Sequence, residues 1–309
     1  MKKNLIKDII ELGRFRFLGG GFLLFCLGAL LAVIAGADFD ITLFFFGYAI
    51  MMPAHLGLSY SNNYFDVNVD KFNKPISISG GTKILIENPE LRIISKWLAV
   101  ILMIISVIMT IIFMIFLNFP ITFLFFVLGG NLLGWFYTAP PLRLAYKGLG
   151  EIANMITMGV LMPGIGFWVI FGGFDLLFLL FSIPLLLYGL DFIITVETPD
   201  MEGDKIAGKN TLVVKKGRKF GFNLIFIVLS LVTIYFILLW SLGIYSDKIN
   251  FLVVALISLI PLVFAAKHLI DKSFGKIKAT KAAIINMATI IFFLVILNIY
   301  FSYLVITGI

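Results

Sequence analysis

The stretch WLAVILMIISVIMTIIFMIFL, residues 97–117, runs for 21 positions without a charge. At 1.5 Å of rise per residue, a helix of that length covers the roughly 30 Å hydrocarbon core of a bilayer. A helix also satisfies its own backbone hydrogen bonds, which lipid cannot do for it. Runs of this kind recur along the chain, and 61% of its 309 residues are hydrophobic while only 13% are charged. Soluble domains sit nearer 45–50% and about 25%. The chain is therefore expected to be an all-α polytopic membrane protein. Its one cysteine, Cys26, lies inside an apolar run and is read as packing, and two distant histidines, His55 and His268, do not make a metal site.

Breaks between apolar runs predict nine transmembrane helices, at about 17–36, 42–66, 91–117, 120–138, 150–171, 176–198, 220–243, 250–266 and 281–306. Asn88-Pro89-Glu90 reads as a cap and first turn for the third. Residues 1–16, MKKNLIKDIIELGRFR, read as a basic amphipathic helix lying on the membrane surface, ahead of a single domain over 1–309. Charge tests the layout. Of the 24 basic residues only Lys248 falls on the side opposite the amino terminus. By the positive-inside rule the N-terminus is cytoplasmic and, after nine crossings, the C-terminus lies on the other side. The net charge of +7 then reflects topology and attraction to anionic membrane lipids, with no need for a nucleic acid partner.

The segment SNNYFDVNVDKFNKP, residues 61–75, places Asn62, Asp66 and Asp70 four apart at the end of the second helix. That spacing stacks them on one face, in line with Ser59 and His55. The sixth helix ends in DFIITVETPDMEGDKIAGKNTL, residues 191–212, where Asp200 and Asp204 repeat the spacing and Glu197 lies one turn earlier. Pro199 and Gly203 are expected to loosen this helix and let its carboxylates turn inward. Both clusters fall on the same side of the membrane. Opposed hard oxygen ligands suit Mg²⁺ together with a phosphate. Lys83, Arg143 and Lys147 lie in loops on that side and are candidates for diphosphate binding, whereas Lys205, Lys209 and the 215–219 run are read as lipid-facing or solvated. Asp191, about 9 Å deeper than Glu197, either accepts a proton or pairs with a polar neighbour such as Asn131. His55, Phe65, Tyr137 and Asn154 are candidate cavity-lining residues. A secondary transporter or cation channel is the rival from another class, although acids gathered at one membrane face fit it less well than acids at the midplane.

These residues resemble the UbiA superfamily of intramembrane prenyltransferases over nearly the whole chain. Asn62/Asp66/Asp70 stand where that family has N-x-x-x-D-x-x-x-D, Asp200/Asp204 stand at its D-x-x-x-D, and nine helices is its count. The resemblance implies one bundle around a central cavity open to the cytoplasmic side. It also implies two Mg²⁺ ions, a prenyl diphosphate donor and a lipophilic acceptor. Asp66, Asp70, Asp200, Asp204 and Asp191 would then be catalytic, with Asn62 and Glu197 joining the four cluster aspartates around the metal. SGGTKILIE (79–87) and YTAPPLRLAYKGLGE (137–151) look like the menaquinone-pathway and vitamin K branch, with an aromatic quinone precursor as acceptor. NNYFDVNVDKFNKP and DMEGD are also similar to archaeal enzymes that prenylate a glyceryl phosphate ether. Those usually carry R-P-I-P-S-G where this chain has KPISISGG. Menaquinone-type members usually carry an asparagine pair where this chain has Val196-Glu197.

Overall fold

The computed structural model describes residues 5–73, 78 and 81–308. Lys2, Lys3, Lys74 and most of the KPISISGG segment lie outside the described residues. All regular structure among the described residues is helical. Among the described residues nine segments are long and apolar enough to cross a membrane. The first comprises α1 (Leu5–Leu12), a short turn and α2 (Leu18–Ala35). Then come α3 (Ile41–Asp70), a short α4 (Ile84–Glu87), α5 (Leu91–Leu117) and α6 (Ile121–Thr138). The fifth crossing is split into α7 (Gly150–Ile156), a π-helical turn (Thr157–Leu161) and α8 (Met162–Phe171). α9 (Leu176–Ile206), a short α10 (Leu212–Lys216), α11 (Arg218–Ser241), α12 (Phe251–Ile270) and α13 (Lys276–Thr307) complete the chain.

Burial sorts these helices. α9 is the most enclosed of the crossings, with 61% of its apolar stretch buried, and α5 the least, with 17%, so α9 runs through the middle and α5 lies at the perimeter. α2 packs along α8, α3 along α5, and α13 returns to α2 to close the bundle. The α2–α8 crossing depends on missing side chains. A Cβ on Gly28 would strike the Pro163 carbonyl, and one on Gly166 would strike that of Phe25. Close backbone approach of this kind is how helices gain contact where lipid supplies no hydrophobic drive.

Three local expectations need correction. α3 continues one turn past 66, with Val67, Val69 and Asp70 buried, so Asp70 is a helical residue. α9 does not loosen at Pro199 and Gly203 but runs unbroken to Ile206. Asn88 does not cap α5; its side-chain amide donates to Asp8 Oδ2 (3.0 Å), which ties the α4–α5 connection to α1.

Candidate active site

The last turns of α3 and α9 line the mouth of one cavity of about 400 Å³, whose deeper walls come from α2, α6, α7, α9 and α13. Asn62, Asp66 and Asp70 reach it from α3, and Glu197, Asp200 and Asp204 from α9. The four aspartates are only 5–8% exposed although they sit at helix ends. They are not tips emerging into water. The walls below are apolar, with Leu24, Leu58, Ile193, Ile290 and Leu294 among them.

A lysine joins the two motifs. Lys209 Nζ lies 3.1 Å from Asp66 Oδ2 and 3.9 Å from Asp204 Oδ1, and its side chain is 14% exposed. The expectation that Lys209 is solvated or lipid-facing is therefore overturned, while Lys205, Lys215, Lys216 and Lys219 are exposed as read. Burial by itself pulls the Lys209 ammonium down, but Asp66 and then Asp204 outweigh it and hold it above its ordinary value. Asn73 adds a second tie across the mouth, donating from Nδ2 to Asp204 Oδ1 (3.0 Å). It fits only because Gly203 has no side chain, since a Cβ there would overlap the Asn73 amide. Gly203 thus lets the α3 extension press onto α9.

Two further partners hold the acids. The Tyr146 hydroxyl donates to Asp66 Oδ1 (2.6 Å), and burial together with the Asp66 charge raises the phenol, which keeps it a donor. The Tyr146 carbonyl accepts from Asn210 Nδ2 (3.0 Å), joining its loop to that of Lys209. Arg14, at a left-handed backbone position between α1 and α2, also lines the mouth. It donates to Asn63 Oδ1 (2.6 Å), and Asn63 in turn donates to the Leu12 carbonyl (2.7 Å). On the far side of α9, Arg218 grips Glu202 with two bonds of 2.5 and 2.6 Å and donates to the Thr198 carbonyl, while Lys276 approaches Glu202 to 3.2 Å. This bidentate pair fixes the last turns of α9 against α11 and α13, so Arg218 is buried rather than solvated.

Of the remaining expected site residues, His55, Tyr137 and Asn154 line the cavity. His55 occupies space that Gly21 leaves open, and Asn154 donates to the Gly189 carbonyl (2.7 Å). Phe65 does not line it; its ring packs on Tyr64 and Trp135. Lys83, Arg143 and Lys147 are exposed and none reaches the cavity wall. Lys147 donates to the Pro141 carbonyl, and the Arg143 guanidinium stacks 3.9 Å from the Tyr146 ring centroid. Among the described residues Arg143 reaches the acids through Tyr146. Asp191 is fully buried and is not on the cavity wall. Its Oδ1 accepts from Asn286 Nδ2 (2.6 Å) and Thr195 Oγ1 (3.2 Å). The suggested partner Asn131 sits on α6 and bonds to Ser106 and the Val127 carbonyl instead.

The candidate metal ligands at the mouth, the carboxylates and the Asn62 amide oxygen, are all oxygen donors, as a hard cation requires. Among the described residues no three His, Cys, Asp or Glu side chains converge closely enough to cage a metal. That arrangement fits an ion held by one or two carboxylates plus water and phosphate oxygens, the usual manner for Mg²⁺.

A 92-residue segment, 30% of each chain, is 32% identical to 1,4-dihydroxy-2-naphthoate octaprenyltransferase of Bacillus subtilis (strain 168). The fold superposes on a UbiA homolog from Archaeoglobus fulgidus bound to GPP and Mg²⁺, with a TM-score of 0.60 and 16% identity, covering 92% of this chain and 99% of that one. A digeranylgeranylglyceryl phosphate synthase superposes with a TM-score of 0.63 and 21% identity, over 96% and 99%. The family model for UbiA prenyltransferases matches residues 22–297, which takes in both acidic motifs and every wall of the cavity beyond the first turn of α2. This chain belongs to the UbiA prenyltransferase family.

Proposed function

We propose that the protein transfers a prenyl group from a prenyl diphosphate to a lipophilic acceptor inside the membrane and releases diphosphate. The observation that carries this reading is the meeting of two aspartate pairs, from different helices, at the buried mouth of one apolar cavity. Two Mg²⁺ ions held by Asp66, Asp70, Asp200 and Asp204, with Asn62 and Glu197 beside them, would neutralise the charge that develops on the departing diphosphate. Lys209 and Arg14 add positive charge at the same mouth. The apolar walls hold the prenyl chain and keep water from the allylic cation. Tyr137 and Phe192 line the same cavity, and their rings are the aromatic groups there that would stabilise that cation. Asp191 is engaged by Asn286 and Thr195 away from the wall. Glu197 lines the cavity where Asp191 does not, so of these two deeper acids it is the carboxylate within reach of the acceptor's proton.

The mouth faces the cytoplasm in this reading, with α1 on that membrane surface, because the basic loops lie at the acidic end. An aromatic quinone precursor is the acceptor favoured by the local similarity to the dihydroxynaphthoate enzyme. A glyceryl phosphate ether is the alternative, favoured by the superposition on the digeranylgeranylglyceryl phosphate synthase. Purified protein incubated with Mg²⁺, prenyl diphosphates of several lengths and a panel of dihydroxynaphthoate, hydroxybenzoate and glyceryl phosphate ether tests both. Prenylated product with one acceptor class supports the reading. Ion uptake into vesicles, with no diphosphate released from any donor, would replace it with a transporter.

A further inference from the structure

Lys209 has a more specific position than added positive charge at the mouth requires. Its ammonium lies between a carboxylate of each motif, 3.1 Å from Asp66 and 3.9 Å from Asp204, and all three side chains are 7–14% exposed. Both carboxylates belong to the last turns of their helices, where the helix dipole is negative. Two such acids brought together in a poorly solvated mouth repel each other unless a cation sits between them. We propose that Lys209 is that cation: a built-in counter-ion that occupies the gap between the motifs until substrate arrives and leaves the carboxylates only when a diphosphate offers it a new partner. The inference rests on the reading of these acids as metal ligands.

The local chain suits a movable charge. Lys209 follows the end of α9 by three residues, in a loop that turns at Gly208 with φ +76°. Its backbone amide still bonds to the Asp204 carbonyl (2.9 Å), so the loop stays fastened while the flexible side chain is free to swing. A divalent ion arriving alone has to displace the ammonium and leave it buried without a partner. An ion arriving with a diphosphate does not, because the phosphate oxygens accept the ammonium in charge-assisted bonds. Metal and diphosphate should therefore each raise the affinity for the other, by the same factor.

The test uses the full chain in nanodiscs, purified in Mg²⁺ and then stripped, with calorimetric Mg²⁺ titration and thermal unfolding as readouts. Wild type should bind Mg²⁺ about tenfold more tightly in the presence of inorganic diphosphate, within the usual range of couplings. Lys209→Met should bind Mg²⁺ alone about tenfold more tightly than wild type does. It should unfold at a lower temperature when metal-free and regain the wild-type value in Mg²⁺. Lys209→Gln should behave likewise, and Lys209→Arg, which keeps the charge, should follow wild type. Neutral variants that bind Mg²⁺ no more tightly than wild type overturn the proposal, as does a destabilisation that Mg²⁺ does not reverse. In both cases the proposed function stands if diphosphate-dependent Mg²⁺ binding persists. Absence of Mg²⁺ binding in every protein, with and without diphosphate, overturns both.

Discussion

Two parts of α9 carry acids into apolar surroundings and treat them in opposite ways. At its end, Asp200 and Asp204 face a cavity and share it with Asp66 and Asp70 of α3, with a lysine, an asparagine and a tyrosine as partners. Three turns deeper, Asp191 is closed off from that cavity and held by a neutral amide and a hydroxyl of its own surroundings. The first set is open to a ligand and is balanced by a cation on a flexible stem. The second joins α9 to α13. An acid inside a membrane protein is thus informative through what faces it, and depth alone does not distinguish a reacting group from a tie between helices.

The comparison can be broken most directly at the mouth. Asp66→Ala or Asp200→Ala should lower transfer by about 10³-fold, the scale of losing a preorganised electrostatic contact, while the protein stays folded in detergent. Activity retained in both variants would end the distinction. Asp191→Ala should do the reverse, leaving Asn286 and Thr195 without their buried partner at a cost of about 1–3 kcal/mol of stability. Its transfer rate per folded molecule should stay close to wild type. A rate loss like that of Asp66→Ala with unchanged thermal unfolding would return Asp191 to the reacting groups.

A smaller effect separates direct from relayed contact. Arg143→Ala should lower kcat/KM by about tenfold through the loosened Tyr146 ring, as loss of a supporting partner commonly does. Tyr146→Phe should do the same, and the double variant no more than either. A further loss in the double variant would mean that Arg143 touches the diphosphate itself. The smallest expected effect is one of pH. Lys209 is held above its ordinary value of 10.5, so the stability that its ion pairs contribute is complete below that value and is lost only as pH rises through the higher folded-state value. Thermal unfolding of the metal-free protein should show no decline from this pair between about pH 7 and pH 9, and a decline there that Lys209→Met removes would contradict its placement.

Much of this was legible in the chain. The nine crossings follow from apolar runs and charge asymmetry, and the two motifs follow from a spacing that only a helix turns into a face. What was not legible depends on contacts between distant segments. Lys209 meets Asp66 across 143 positions and is written among lysines that face water, so nothing local marks it as the one turned inward. Arg14 likewise sits in a basic N-terminal stretch, and Tyr146 in a loop where Arg143 and Lys147 are the more conspicuous residues. Pro199 and Gly203 together suggest a loosened helix, but Gly203 serves to admit Asn73, which only the packing of α3 against α9 reveals.

The central claim is that the two acidic helix ends act as one site. It is tested most directly by Mg²⁺-dependent binding of geranyl diphosphate to wild type, Asp66→Asn, Asp200→Asn and the double variant. If the motifs share the diphosphate, each single change should abolish the Mg²⁺-dependent part of binding as fully as both together. Single variants that each keep an independent share of that binding, with losses that simply add in the double variant, would contradict it.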